Sequence, residues 1–255
     1  MKVISLFNFK GGVAKTVSSV NIATILSLNG KRVLLVDNDP QANACVNLGV
    51  SSASIKNTIY ELLTTDISID ETIIKDLVKN DKNGCLDLIP SKIVYFEAEK
   101  QLAHELQPYA MLKNRLEEVR DKYDYVIIDN HPSLSTMSLN GLVASDEVLI
   151  PLTPDNFAIE GLEYVFFKLE KVIEQLNRSL KIKGVFLTRY RETNICKEVL
   201  SFLNKQLPSK TLKTVIRDTV RVGESTTGEP LIIYDKNATA SQDYIRLVKE
   251  VFNIG

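Results

Sequence analysis

The stretch Lys2-Val3-Ile4-Ser5-Leu6-Phe7-Asn8-Phe9-Lys10-Gly11-Gly12-Val13-Ala14-Lys15-Thr16 sets the architecture of the chain. Residues 2–7 are a short apolar run that reads as a buried strand, and it breaks into a polar loop with two adjacent glycines. Beyond the loop, Val17, Val20, Ala23 and Leu26 recur at helical spacing, and Asn29-Gly30 supplies a stop. Residues 32–37 form a second apolar run, too short for a helix and β-branched enough for a strand. Strand, loop, helix and strand in this order make a βαβ unit, whose crossover requires parallel strands.

A glycine-rich turn between a strand and a helix is a phosphate cradle. Glycines let backbone N–H groups approach an anion, and the helix N-terminus adds a favourable dipole. In that frame Lys15 reaches the outer phosphates of a nucleotide, and the Thr16 hydroxyl takes one position on Mg²⁺. The familiar G-x-x-x-x-G-K-[ST] pattern is not kept, because Phe9 and Ala14 stand at its two glycine positions and Lys10 adds a second lysine. Ala14 implies a backbone angle that accepts a Cβ, which leaves Gly12 as the expected positive-φ position.

The alternation continues outward. Strands are expected at 86–90, 125–129, 147–151, 183–188 and 212–216, and helices at 96–106, 111–122, 159–176, 197–206 and 240–252. A continuous run such as Val126-Ile127-Ile128 suits a central strand covered on both faces. Residues 51–82 are polar and weakly periodic, the least informative stretch of the chain. With no linker or repeat visible, residues 1–255 read as one α/β domain: a doubly wound, mostly parallel sheet with helices on both faces.

Composition narrows the class. The chain is 44% hydrophobic and 25% charged with a formal net charge of -1, ordinary values for a globular protein. No run approaches the ~20 apolar residues of a membrane span, and the opening residues read as a strand rather than a signal peptide. Cys45, Cys85 and Cys196 lie far apart with no CxxC pair, which argues against a disulfide framework, a zinc site or an iron–sulfur cluster and fits a reducing cytoplasm. The near-zero net charge conceals an asymmetry: residues 168–221 hold thirteen Lys/Arg against five Asp/Glu, so the remainder is acidic.

The loop at 10–16 resembles the deviant Walker A motif of the ParA/MinD superfamily, and most of all that of the ParA (Soj-like) partition ATPases. The likeness continues in Val33-Leu34-Leu35-Val36-Asp37-Asn38-Asp39-Pro40-Gln41-Ala42-Asn43, in Tyr123-Asp124-Tyr125-Val126-Ile127-Ile128-Asp129-Asn130-His131-Pro132-Ser133, and in Asp146-Glu147-Val148-Leu149-Ile150-Pro151. The last third is similar mainly at Gly228-Glu229-Pro230.

The resemblance implies Mg-ATP held by Lys10, Gly11, Gly12, Val13, Ala14, Lys15, Thr16 and Val17, and its hydrolysis to ADP and phosphate. Two subunits would sandwich two ATP molecules, with Lys10 crossing to the partner's nucleotide. Lys10, Lys15 and Asp39 then form the catalytic set, Asp39 positioning the attacking water. Asp37 either joins Thr16 in the Mg²⁺ shell or holds Lys15. Asp129 ends an apolar strand like a Walker B aspartate and would hold Mg²⁺ directly or through water. Arg189 follows a strand in a segment similar to the one beside adenine in MinD-like proteins. Arg191 stands where Asn or Asp is frequent there, so Asp218 and Thr219 are the alternative base contacts. His131, where many relatives carry proline, reads as a loop histidine with a structural hydrogen bond.

The basic region admits two readings. A charge run is usually a solvated face. Against that, Arg189, Arg191, Arg217 and Arg221 cluster, and ParA relatives bind duplex DNA without sequence preference through corresponding segments, a mode that needs no base-reading motif. The leading expectation is an ATP-dependent homodimer, cytoplasmic and nucleoid-associated, that partitions plasmid or chromosomal DNA with a ParB-like centromere-binding protein. The alternative is a MinD-like membrane-positioning ATPase. Residues 243–252 alternate in charge and look like a docked closing helix, so no membrane is expected. A metabolic phosphotransferase on the same fold is a third class, one with no use for Lys10.

Overall fold

In a computed structural model, residues 1–79 and 82–254 are described; residues 80, 81 and 255, which fall within the expected domain, lie outside them. Strands β1 (Lys2–Leu6), β2 (Arg32–Asn38), β3 (Ile74–Lys79), β4 (Cys85–Ile89), β5 (Tyr125–Asn130), β6 (Glu147–Leu152) and β7 (Lys181–Leu187) form one sheet in the order β3-β4-β2-β5-β1-β6-β7. All neighbours run parallel except β3 and β4. Helices α1 (Lys15–Leu28), α2 (Asn43–Asn47), α3 (Ile59–Thr64), α4 (Ala98–Leu102), α5 (Met111–Glu117), α6 (Thr136–Ala144), α7 (Ala158–Gln175), α8 (Asn194–Gln206), α9 (Val220–Ser225), α10 (Leu231–Tyr234) and α11 (Thr239–Phe252) surround it.

The period-2 alternation of strand side chains explains the layers. Ile4, Val33, Leu35 and Ile127 point to one face, against α1 and α11 through Val20, Ala23, Tyr244 and Leu247. Val3, Leu34, Val36, Val126 and Ile128 point to the other, against α3, α5 and α6 through Leu62, Leu112 and Met137. Asp37 and Asp129 continue the first series and Asn38 and Asn130 the second, a division the site depends on.

Two expectations are corrected, and no expectation covers β3 or α6. Residues 74–79 are an antiparallel edge strand inside the least informative stretch; its register shifts between Ile74 and Val78, and Asp76 sits at φ 63, which breaks the alternation. The missed helix α6 carries Ser138, Asn140 and Gly141, weak helix formers kept there by burial. Residues 212–216 form no strand. They hydrogen-bond to β7 through the Leu212 N–H to the Val185 carbonyl (2.8 Å) and the Ile216 N–H to the Leu187 carbonyl (2.8 Å), leaving only isolated bridges at Thr211 and Arg217. The helix expected at 96–106 is a 3-10 turn, Ile93–Glu97, followed by α4, and it stops at Leu102.

Candidate functional site

The loop after β1 is braced from both sides. The buried Asn8 donates to the Pro151 carbonyl (2.8 Å) and accepts from the Lys10 N–H (3.0 Å), while the Val13 carbonyl accepts from the Thr188 hydroxyl (3.1 Å). Gly12 has φ 74 as expected, but Ala14 is also left-handed, at φ 60. A Cβ fits that small region at a cost of about 1–2 kcal/mol, so the loop takes two positive-φ residues where one was expected. α1 starts after Ala14 with no side-chain cap. The N–H groups of its first turn are therefore free for an anion.

Lys15 is only 7% exposed and donates to the Lys10 carbonyl (3.1 Å). Burial lowers its pKa, opposed by the charges of Asp129 and Asp39. Those carboxylates come from strand register: parallel pairing of β2 and β5 sets Asp37 beside Asp129. The Asp37 Oδ2 accepts from the Cys45 N–H (3.0 Å), and the Asp129 Oδ1 accepts from the Ser19 hydroxyl (3.0 Å). The other oxygens, Asp37 Oδ1 and Asp129 Oδ2, are buried without a partner. Burial, reinforced by Asp129, pushes Asp37 up to about 8. Burial also raises Asp129 to about 6, opposed by the Thr16 hydroxyl and the Lys15 charge. Asp39, nearly buried, accepts from the Gln41 N–H (2.9 Å).

Above this floor opens a cleft of about 960 Å³. Gly11, Gly12, Ala14, Lys15, Thr16, Val17 and Asp39 line one side, and Arg189, Arg217, Asp218 and Thr219 the other. Asp37 and Asp129 lie beneath, fully buried. Val13 is turned into the protein, and the Lys10 ammonium pairs with Asp155 at the start of the α7 region instead of facing the cleft. Asp155 carried no sequence signal, since a lone loop aspartate announces nothing. Gln41 and Asn43 also line the cleft; both stood within the motif block, but no chemistry singled them out.

The four arginines differ in their partners. Arg189 is exposed at φ 51 on the cleft wall. Arg191 pairs with Asp218 (2.8 Å), and Arg221 with Glu224 (2.9 Å) and Asp235 (3.5 Å). Arg217 donates to the buried Asp243 (2.9 Å), which also pairs with Arg246, so the buried carboxylate is held between two guanidinium groups.

The donor set suits Mg²⁺. Among the described residues no group of three or more His, Cys, Asp or Glu forms a protein-only cage. Mg²⁺ instead takes one or two carboxylates and completes its octahedron with phosphate oxygens and water. The orphaned oxygens of Asp37 and Asp129, with the Thr16 hydroxyl next to Asp129, match that demand.

A family model described as an AAA domain matches residues 1–182. The chain is 40% identical over 252 residues to the sporulation initiation inhibitor protein Soj of Bacillus subtilis, covering 98% of both. It is 36% identical over 252 residues to the chromosome-partitioning ATPase Soj of Treponema pallidum, covering 98% of this chain and 96% of that one. The chain belongs to the ParA/MinD superfamily of P-loop ATPases. The same ParA/MinD fold appears in cobyrinic acid a,c-diamide synthase of Mycobacterium smegmatis, solved with a bound ATP analogue and magnesium: TM-score 0.84 and 27% identity over 99% of this chain and 95% of that one. A partition ATPase and a biosynthetic enzyme thus share the scaffold, and function has to be argued from the site.

Proposed function

We propose that residues 1–255 are a single ATPase domain that hydrolyses Mg-ATP, dimerises around it and binds duplex DNA without sequence preference, partitioning DNA with a ParB-like protein. The observation that carries this reading is the pair of buried carboxylates, each with an orphaned oxygen, under an uncapped helix N-terminus and a buried lysine. The loop N–H groups and Lys15 hold the phosphates. Mg²⁺, when bound by Thr16, Asp37 and Asp129, neutralises charge on the outer phosphates. Asp39 orients the attacking water, and Arg189, Asp218 and Thr219 face the base.

Lys10 supports the dimer. Its bond to Asp155 is between half-exposed groups, and such pairs are worth at most about 1 kcal/mol. A partner's phosphate can therefore replace Asp155 at little cost. The same reasoning makes Arg191 and Arg221 available to DNA phosphates, whereas Arg217 is committed to Asp243.

Co-sedimentation with duplex DNA should show binding with ATP and little with ADP, its affinity falling steeply with salt. Equal binding in both states would contradict the switch. A parallel liposome arm addresses the MinD-like reading; among the described residues no helix is long and apolar enough to cross a membrane. Asp39→Ala should keep ATP affinity within a few-fold yet lose turnover by ~10²-fold, because misplacing the nucleophile costs about that much. Turnover at the parent rate would remove Asp39 from the mechanism.

A further inference from the structure

Behind the acidic strand ends, on the opposite face of the sheet, runs a chain of buried amides and hydroxyls. The Tyr95 hydroxyl donates to the Asn38 Oδ1 (2.7 Å). The Asn38 amide donates to the Asn130 Oδ1 (2.9 Å) and the Met137 carbonyl (2.9 Å). The Asn130 amide donates in turn to the Ser5 hydroxyl (3.0 Å) and the Leu6 carbonyl (3.1 Å). Tyr95, Asn38, Asn130 and Ser5 are all buried. Both amides thus spend both N–H groups and accept through the carbonyl, which leaves one arrangement open to them.

α6 is built around this pair. A Cβ on Gly141 would lie 2.1 Å from the Asn130 Oδ1 and 2.9 Å from the Asn38 Nδ2. Glycine is what lets the helix close over the two amides.

Asn38 sits between Asp37 and Asp39, and Asn130 follows Asp129. The β2–β5 ladder spaces the main chains, but on the cleft face Asp37 and Asp129 each have one partnered oxygen and one orphan, and neither side chain is bonded to the other. We infer that Asn38 and Asn130, clamped by Tyr95 and Ser5, are positioning residues that lock the ends of β2 and β5 and so hold Asp37, Asp39 and Asp129 in the orientation the cation and the attacking water require. The inference rests on the Mg-ATP reading of the cleft and acts through those acids.

Tyr95→Phe removes one hydroxyl and keeps the ring packing. Tyr123→Phe is the matched control, deleting another buried hydroxyl, bonded to Asp87 (2.6 Å), next to the start of β5 and away from the cleft. Tyr95→Phe should lower kcat about tenfold with KM for ATP within about twofold, and raise the Mg²⁺ concentration for half-maximal AMPPNP binding about fivefold. Tyr123→Phe should lose comparable thermal stability while leaving both quantities unchanged. Ser5→Ala, which loosens the chain at its other end, should shift both in the same direction and carries the test if Tyr95→Phe does not fold. Equal effects in the Tyr95 and Tyr123 variants, or none in the Tyr95 and Ser5 variants, overturn the inference. If the parent itself does not hydrolyse ATP, the hydrolysis reading fails separately, and the Mg²⁺ requirement of AMPPNP binding still decides the clamp.

Discussion

Lys15→Ala should weaken Mg-ATP binding by at least ~10²-fold, measured by calorimetry. The phosphates enter a site floored by three carboxylates, Asp37, Asp39 and Asp129, all nearly or fully buried. Lys15 is the buried cation there, already in the Coulomb field of Asp129 and Asp39. Removing one member of a buried charge pair costs about 2–5 kcal/mol, and here the remaining field also repels the ligand. The variant keeps the loop braces at Asn8 and Thr188, so its thermal midpoint separates lost binding from lost folding. Affinity within a few-fold of the parent would sink the assignment.

Asp37→Asn should stabilise the nucleotide-free protein at pH 8, and the direction follows from proton linkage. Asp37 titrates near 8 when folded against an ordinary value of 3.8. Between those values the folded chain holds a proton that the unfolded chain has released, so stability falls as pH rises. Asp129, near 6 when folded, adds a contribution of the same sign between about 4 and 6. The parent's thermal midpoint should therefore decline from pH 5 to pH 8. In the variant, the carbonyl of the introduced amide can still accept from the Cys45 N–H. A gain on the order of a few kcal/mol at pH 8 corresponds to roughly 5–10 °C, and the pH profile should flatten. The same variant should bind Mg²⁺ and ATP together more weakly. A parent midpoint that rises with pH would refute the linkage, and the variant's response would show whether Asp37 carries it.

What the sequence disclosed follows from where local chemistry and burial agree. β1, β2, β5 and β6 are apolar on both faces because helices cover both, and such runs are visible without a structure. β3 was hidden because an edge strand needs only one buried face, and its register shift erased the alternation. The pairing of Asp37 with Asp129 was half legible: each acid ends a recognisable strand, but only strand order makes them neighbours. The long-range partners of the basic residues were not legible, unlike the Arg221–Glu224 pair three residues apart. Arg217 finds Asp243 and Lys10 finds Asp155 across long sequence separations, and no periodicity encodes such meetings. The amide pair behind the acids was missed for a related reason, since asparagine beside aspartate looks like more polar loop until the opposite face of the sheet is known to be dry.

The two margins of the sheet bear on how these molecules behave when crowded. β3 runs antiparallel, shifts register and turns through a left-handed aspartate with Lys75 and Asp76 exposed. Along the other margin, the main chain at 211–217 occupies hydrogen-bonding positions of β7 without becoming a strand itself. Among the described residues, neither rim offers a flat row of open N–H and C=O groups to a neighbouring molecule. If copies gather on DNA as proposed, these rims disfavour main-chain pairing between neighbours, so the array can disperse when its ligand is released instead of hardening into a continuous ribbon.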